Sequence, residues 1–221
     1  FRTYILQRSG HHILDEDGSI GCTIEDLEAA FSFILSLIDS GTIPPFGQST
    51  RFENWLPQWN EMWRRGKWGM TTASSSTIPD IGLASPFPIG TASFPVPDDA
   101  VDSGVYAAPT MLLAISRGSQ HKDEAAAFID FLINDPEASL IISDSCGMPA
   151  NSRNRVQDSS DLVYPMVIAA LEDSADELYP SETGDELLEV ISEYIHIIGF
   201  GILSPLEAAH DMMARIGSIG R

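Results

Sequence analysis

The sequence predicts an α/β fold, and the clearest signals for it lie between residues 104 and 150. An unbroken apolar run at 111–115 is typical of a strand buried on both faces, so we expect a strand over 110–116. The residues that follow carry apolar side chains three and four positions apart, which predicts a helix that ends before Pro136. Pro136 suits the first position of a second helix, which a glycine-proline turn ends.

The N-terminal part predicts a hairpin and a core helix. Residues 13–22 are expected to form a hairpin, because their Asp-Gly pair readily adopts the positive φ of a tight turn. A calcium-binding loop is excluded there, since isoleucines stand where the EF-hand pattern requires acidic residues. Thr23 and Asp26 predict a capping box for a helix over 23–40, whose apolar stripe faces the core.

The central part predicts a helix and a strand, followed by proline-rich connections. We expect the helix over 57–65 and the strand over 67–73, which leads into three consecutive serines. The proline-rich residues 79–109 are expected to be extended, with 89–96 as a candidate edge strand.

The C-terminal part predicts three helices. They are expected over 161–173, 184–199 and 205–217. The last begins with a capping box of Ser204 and Glu207, with proline at the first helical position.

Composition argues against several classes of function. The 12 basic and 32 acidic residues give a net charge of -20, which would repel nucleic acid or an anionic membrane surface. Neither the five histidines nor the two cysteines have metal-binding spacing, and no nucleotide-binding glycine motif occurs, so we expect no cofactor and no metal. Cys22 and Cys146 are expected to be free buried thiols, with a disulfide left open. A glycosidase pair of carboxylates also stays open, because acids are abundant.

Four short motifs occur in the order found in a known family. They are Ala114-Ile115-Ser116, the A-x-x-F-I-x-F-L stretch at 125–132, Asp135-Pro136-Glu137 and Gly147-Met148-Pro149-Ala150. This order resembles the carbohydrate-binding branch of the extracellular solute-binding proteins that serve ABC importers. Residues 62–70 resemble the F-x-x-G-K-x-A-M element of that family, with Gly69 in place of alanine, and 201–209 resemble its G-x-x-S-P-E-E-A element.

The resemblance implies a periplasmic-binding-protein-like second lobe together with a segment that returns to the first lobe. On this basis residues 1–97 and 152–221 form the second, C-terminal lobe, and 98–151 is the returning segment. The likeness covers almost all of the chain but only the later part of the family pattern, so most of the first lobe is lacking. Because the first residues look like the interior of an element, we expect an excised or mature fragment.

Sugar binding needs flat apolar surfaces for the faces of the ring and polar groups for its hydroxyls. The resemblance implies a stacking tryptophan in the loop before 57–65, serines at the end of a strand aimed at the cleft, a glycine-led turn where ligand approaches backbone, and a turn before the helix at 184. Trp59 is a weaker candidate platform, and Trp63 is expected in the core. The ligand-binding candidates are Trp55, Ser74, Ser75, Ser76, Gly104, Tyr106, Ala107, Glu182 and Thr183.

The function that the resemblance implies is non-enzymatic. We expect the substrate-binding component of an ABC importer, which captures a sugar or oligosaccharide by hinge closure and delivers it to the permease subunits in the membrane. Such proteins are extracellular, either anchored to the cell surface as lipoproteins or periplasmic. Self-association through the exposed first-lobe segment is a further expectation. Two alternatives remain: a carbohydrate-active hydrolase that uses paired carboxylates, and a structural fragment without binding activity of its own.

Overall fold

The computed structural model describes residues 1–15, 17–49, 57–105, 112–146, 148–155, 166–168 and 181–219, and over these ranges the regular structure is helical. The α-helices are α1 (Arg2–Ser9), α2 (Ile24–Asp39), α3 (Phe46–Ser49), α4 (Glu61–Arg64), α5 (Ile78–Ala84), α6 (Lys122–Asn134), α7 (Pro136–Cys146), α8 (Ser181–Gly199) and α9 (Pro205–Ile216). Short 3-10 helices cover Pro57–Trp59, Ser75–Thr77 and Ser152–Asn154.

The predicted strands do not form in the described part of the chain. Residues 67–73 and 89–96 are irregular, as are 112–116, while 110 and 111 lie outside the described residues. A strand needs a neighbouring backbone to satisfy its hydrogen bonds, and these segments have no such ladder within the ranges given above. Of the α/β prediction, the helices over 23–40, 122–134, 136–146, 184–199 and 205–217 are confirmed in the described residues, whereas the strand assignments were wrong for these residues.

The predicted hairpin is present as a tight turn. Gly18 has φ of 78°, and its amide donates to the carbonyl oxygen of Asp15 at 2.9 Å. The amide of Asp15 donates to the carbonyl oxygen of Ser19 at 2.9 Å, and Leu14 and Ile20 form an antiparallel bridge. The Asp-Gly pair therefore reverses the chain as the sequence predicted.

The chain divides into two compact units. Unit 1 comprises Phe1–Glu53, Phe94–Ala107 and Asp173–Arg221, and unit 2 comprises Asn54–Ser93 and Ala108–Glu172. In unit 1 the apolar sides of α1, α2, α8 and α9 meet. The buried side chains there include Ile5, Ile13, Leu27, Phe31, Leu187, Val190, Ile198, Ala209, Met212 and Ile216.

Both predicted capping boxes are confirmed in unit 1. The amide of Asp26 donates to Thr23 Oγ1 at 3.2 Å, and the amide of Thr23 donates to Asp26 Oδ2 at 3.0 Å. At α9, Ser204 Oγ accepts from the amide of Glu207, and Glu207 Oε2 accepts from the amide of Ser204 at 2.9 Å. These reciprocal bonds satisfy amides that a helix start leaves unpaired, so they fix where α2 and α9 begin.

Trp63 holds together the N-terminal part of unit 2. Its side chain is buried, as expected, and its Nε1 donates to Ser85 Oγ at 2.8 Å. Ser85 Oγ in turn donates to the carbonyl oxygen of Ile81 at 2.6 Å, and the Trp63 ring lies 5.5 Å from that of Phe87. The helix predicted over 57–65 is split into a 3-10 helix and α4.

Helix α5 was not predicted, because the prolines from residue 79 indicated extended chain. Pro79 lies in the first turn of α5, where a missing amide costs nothing, so proline density alone was a poor guide. The helices expected at 122–134 and after Pro136 are confirmed. Of the helix predicted over 161–173, the described residues 166–168 are helical and the others lie outside the described ranges.

The junction of α6 and α7 is stabilised by side chains. Asp135 Oδ1 accepts from the amides of Glu137 and Ala138, both at 3.0 Å, and so caps α7. Asn154 Nδ2 donates to Ser139 Oγ at 2.8 Å, and both side chains are buried. Within the described ranges, no helix has the length and apolar character needed to cross a bilayer.

Candidate functional site

The three predicted serines lie at one short 3-10 turn of unit 2, which covers Ser75–Thr77. Ser74 is exposed and precedes the turn, and its carbonyl oxygen accepts from Thr77 Oγ1 at 2.8 Å. Ser75 and Ser76 are half-buried on the turn itself, which contacts α5 and α7. No hydrogen bond of these three hydroxyl groups to the described residues is present, so each is able to bond to a ligand.

Gly104 is a buried residue of unit 1 that lies against α1. Its φ is 68°, and its amide donates to Asp102 Oδ1 at 2.7 Å. A Cβ atom at this position would lie 2.7 Å from Thr3 Cγ2 and 2.8 Å from Gln7 Cγ. Glycine is therefore required both by the backbone conformation and by the close approach of α1, independently of any ligand. Its predicted part in ligand binding stays a prediction.

The other predicted contacts are described in part or not at all. Trp55, Tyr106 and Ala107 lie outside the described residues. Glu182 and Thr183 stand in the first turn of α8, and the description covers their backbone alone. Trp59, the weaker candidate, has a side chain that is 64% exposed, which leaves its ring face open to a sugar.

Unit 2 has an open recess that the sequence did not predict. It has a volume of about 390 Å³ and is lined by Glu61, Arg64, Arg65, Ala84 and Pro86. The Arg65 guanidinium contacts the Glu61 carboxylate at 2.5 Å on an exposed surface. The only sequence feature that could have indicated this recess is Arg64-Arg65 one helical turn after Glu61. That spacing is equally well explained by an ordinary i,i+4 ion pair between Glu61 and Arg65.

A second recess lies between α6 and α7 and is mostly apolar. Its volume is about 360 Å³. The lining residues include Phe131, Ala138 and Ile141, and the acidic residues Asp135 and Glu137 also line it. Two consecutive helices were predicted here, but a recess between them cannot be inferred from their separate patterns.

Cys22 does not fit a nucleophile. It is buried as a free thiol, and burial, reinforced by the negative charge of Asp26, raises its pKa to about 11. The reactive thiolate is therefore scarce at neutral pH. Among the residues the structure covers, no group of three or more potential ligands could hold a metal ion.

Comparison with known proteins identifies the fold. No protein-family model matches the sequence. A periplasmic solute binding protein from Pectobacterium atrosepticum matches 97% of this chain with a TM-score of 0.85 and 25% identity, and 55% of that protein is covered. A periplasmic oligogalacturonide binding protein from Yersinia enterocolitica, in complex with saturated digalacturonic acid, matches 97% with a TM-score of 0.83, 20% identity and 56% of its length covered.

The predicted resemblance to extracellular solute-binding proteins is thereby confirmed, and the chain has the fold of part of such a protein. It spans about half the length of the proteins that it matches. A de novo designed cysteine esterase also matches, with a TM-score of 0.78, 21% identity, and coverage of 97% of this chain and 55% of that one. Because this likeness is below 25% identity, it bears on the fold alone and brings no catalytic assignment.

Proposed function

We propose that the chain is the ligand-binding part of the solute-binding component of an ABC importer and that its ligand is a sugar or oligosaccharide. The observation that carries the proposal is the match of 97% of the chain to periplasmic solute-binding proteins, one of them in complex with digalacturonic acid. Such a protein acts outside the cytoplasmic membrane, periplasmic or anchored to the cell surface, and delivers its ligand to permease subunits. It has no catalytic task.

Residues 1–97 and 152–221 form the second lobe in this proposal, and 98–151 belongs to the first. Ligand binding works by a difference in affinity: the ligand shifts the protein to its closed form only as far as it binds that form better than the open one. The closed form is then the signal that the permease recognises.

The proposed contacts combine ring stacking with hydroxyl recognition. Trp55 supplies the stacking surface, and Ser74, Ser75 and Ser76 supply hydroxyl groups, which the described residues leave without partners. Gly104, Tyr106, Ala107, Glu182 and Thr183 complete the proposed set. The net charge of -20 favours a neutral sugar over a polyanionic one at long range, because like charges repel.

The test is a titration of the 221-residue chain with maltotriose and with digalacturonic acid, followed by NMR chemical shifts. Because this chain spans about half of its relatives, we expect saturable binding only in the millimolar range, about -4 kcal/mol. Shifts should be centred on Ser74–Ser76, and the triple Ser→Ala variant at these positions should weaken binding by at least about tenfold. A Thr71→Ala, Thr72→Ala double variant, two exposed hydroxyls just upstream, is the matched control and should bind normally.

Two results would contradict the proposal. One is the absence of saturable shifts with either sugar at tens of millimolar. The other is release of shorter sugars during the titration, which would favour the hydrolase.

A further inference from the structure

Unit 2 concentrates positive charge at one of its two recesses. This recess, which we call the arginine recess, is lined by Glu61, Arg64, Arg65, Ala84 and Pro86. The chain has 12 basic and 32 acidic residues, yet three of the basic residues fall within residues 64–67, and all three are exposed. Basic side chains gathered in this way create a local positive potential on a chain whose net charge is -20, and that potential attracts anions.

Only one of the two arginines of the recess is paired within the described part of the chain. The Arg65 guanidinium contacts the Glu61 carboxylate, whereas the Arg64 side chain makes no ion pair or hydrogen bond with the residues that the structure describes. The recess therefore holds two guanidinium groups and one carboxylate. Because the pair of Glu61 and Arg65 is exposed, it stabilises the fold little, and a ligand can share Arg65 with Glu61 at small cost.

The backbone that carries the arginines is fixed at both ends. Asn60 Oδ1 accepts from the amides of Met62 and Trp63, at 2.8 Å and 3.3 Å, and so caps the start of α4. After the helix, the amide of Gly66 donates to the carbonyl oxygen of Trp63 at 2.8 Å, and the amide of Lys67 donates to that of Met62 at 2.9 Å. Gly66 has φ of 63°, so these two bonds form a Schellman motif. The backbone positions of the arginines are therefore set before any ligand binds.

A hydrogen bond of the buried Trp63 connects the two walls of the recess. Trp63 lies on α4, whose residues form the charged wall, and its Nε1 donates to Ser85 Oγ at 2.8 Å. Ser85 stands between Ala84 and Pro86, which form the apolar wall. The bond keeps the two walls together in the absence of a ligand, and a site that is already formed loses less entropy on binding.

The lining residues indicate the class of ligand. Guanidinium groups bind planar carboxylates through two parallel hydrogen bonds, and the contact of Glu61 with Arg65 shows that a carboxylate fits here. Ala84 and Pro86 offer no polar side chain, so the rest of the ligand is apolar. The volume of about 390 Å³ is of the size that small-molecule sites have. A single carboxylate is favoured, because the net charge of -20 repels polyanions at long range.

We propose that the arginine recess binds a small monocarboxylate with an apolar body. Arg64 binds the carboxylate through both of its parallel N–H groups, Arg65 is shared between the ligand and Glu61, and the apolar body lies against Pro86. None of the proposed sugar contacts lines this recess. The inference is therefore independent of whether the chain binds a sugar.

The experiment is an NMR titration of the 221-residue chain with benzoate, and with benzamide as a neutral analogue of the same shape. We expect benzoate to shift the Nε–H resonances of Arg64 and Arg65 and the amide resonance of Gly66, with saturation below about 10 mM. Benzamide should bind at least about tenfold more weakly, because it lacks the charge that the guanidinium groups recognise. Sulfate at equal ionic strength should also bind at least about tenfold more weakly, because it has no apolar body to place on Pro86.

Substitutions of opposite expected effect decide whether the charges of the recess are responsible. Arg64→Gln should weaken benzoate binding by at least about tenfold, and Arg64→Lys should weaken it by about threefold, because lysine keeps the charge and loses the planar fork. Glu61→Gln should strengthen it by about two- to fivefold, because the competing carboxylate is removed. Arg117→Gln is the matched control and should bind normally, since Arg117 is an exposed arginine of unit 2 that makes no ion pair with the described residues.

Four outcomes would overturn the proposal. They are benzamide binding as tightly as benzoate, an equal loss in Arg64→Gln and Arg117→Gln, weaker benzoate binding in Glu61→Gln, and sulfate binding as tightly as benzoate, which would indicate an adventitious ion only. Maltotriose provides the separate readout, because its shifts at Ser74–Ser76 should be the same in Arg64→Gln as in the unaltered chain. A failure of the arginine recess is thereby distinguishable from a failure of the proposed sugar binding.

Discussion

The side-chain amide of Gln7 donates a hydrogen bond to the carbonyl oxygen of Ser103 at 2.8 Å, across 96 positions of the sequence. The same Nε2 donates to the carbonyl oxygen of Pro95 at 2.9 Å, while the backbone carbonyl of Gln7 accepts from the amide of Val101 at 2.8 Å. One buried glutamine thus attaches an irregular segment to α1 at three points. This segment ends at Gly104, one of the predicted contacts of the ligand.

Replacing Gln7 by leucine should lower the free energy of unfolding of unit 1 by about 1 to 3 kcal/mol, because two carbonyl oxygens lose their donor in a largely buried place. Urea unfolding followed by circular dichroism measures the change. Gln120→Leu is the matched control, since its Nε2 makes a single exposed bond to Gly118 at 3.3 Å. An equal loss of unfolding free energy in both variants would mean that the hydrogen bonds of Gln7 contribute no more to stability than the exposed bond of Gln120.

Gly104→Ala should destabilise unit 1 more than Gly41→Ala does. Both residues have positive φ, 68° and 73°, so both substitutions cost about 1 to 2 kcal/mol in the backbone. The added methyl group meets open space at Gly41, but at Gly104 it lies 3.0 Å or less from Thr3 and Gln7, which adds about 1 to 3 kcal/mol. Thermal melts of the two variants measure the difference, and equal melting temperatures would contradict the close packing.

Trp63→Ala should cost about 3 to 5 kcal/mol, because a buried ring is removed and Ser85 Oγ loses its donor. Trp59→Ala, at an exposed ring in the neighbouring turn, should change stability by no more than about 0.5 kcal/mol. Chemical denaturation followed by the fluorescence of the remaining tryptophans separates the two. The prediction fails if the exposed tryptophan proves the more important for stability.

Cys22 should make stability depend on pH in the alkaline range. Burial raises its pKa in the folded protein from 9.0 to about 11. A raised pKa means that the unfolded chain loses its proton first, so the contribution of the thiol is complete below pH 9 and is lost as the pH rises towards 11. Cys22→Ala should therefore flatten the decline of the unfolding free energy between these two pH values. Parallel curves for the two proteins would contradict the assignment.

Local sequence signals were accurate for two helix caps, one tight turn and the longer amphipathic helices, although α5 was not predicted. Thr23 with Asp26 and Ser204 with Glu207 are capping partners three residues apart, and the Asp-Gly turn closes over four residues. The amphipathic periods of α2, α6 and α9 likewise need only one helix to be recognised. The motif order between residues 114 and 150 predicted a resemblance to solute-binding proteins, and the structural matches show the same fold.

The candidate site was less predictable, since binding contacts depend on which distant segments come together. The serines at 74–76 were expected after a strand and instead lie at the start of a 3-10 turn, and their hydroxyl groups have no partner in the described part. Gly104 was chosen for the approach of a ligand, whereas the residues that crowd it belong to α1, about a hundred positions away.

The sequence by itself thus determined the longer amphipathic helices, two of their caps and the resemblance to solute-binding proteins, because these follow from side chains within a few positions of one another. Only the tertiary structure decided that Gln7 fixes the segment before Gly104, that α6 has no buried side chain, and that 112–115 does not form a strand. The physical reason is that a strand is completed by hydrogen bonds from another segment, and an apolar stripe is buried only if another surface covers it. The sequence pattern of one segment indicates that it needs a hydrogen-bonding partner or a covering surface, and only the tertiary structure shows whether another segment provides it.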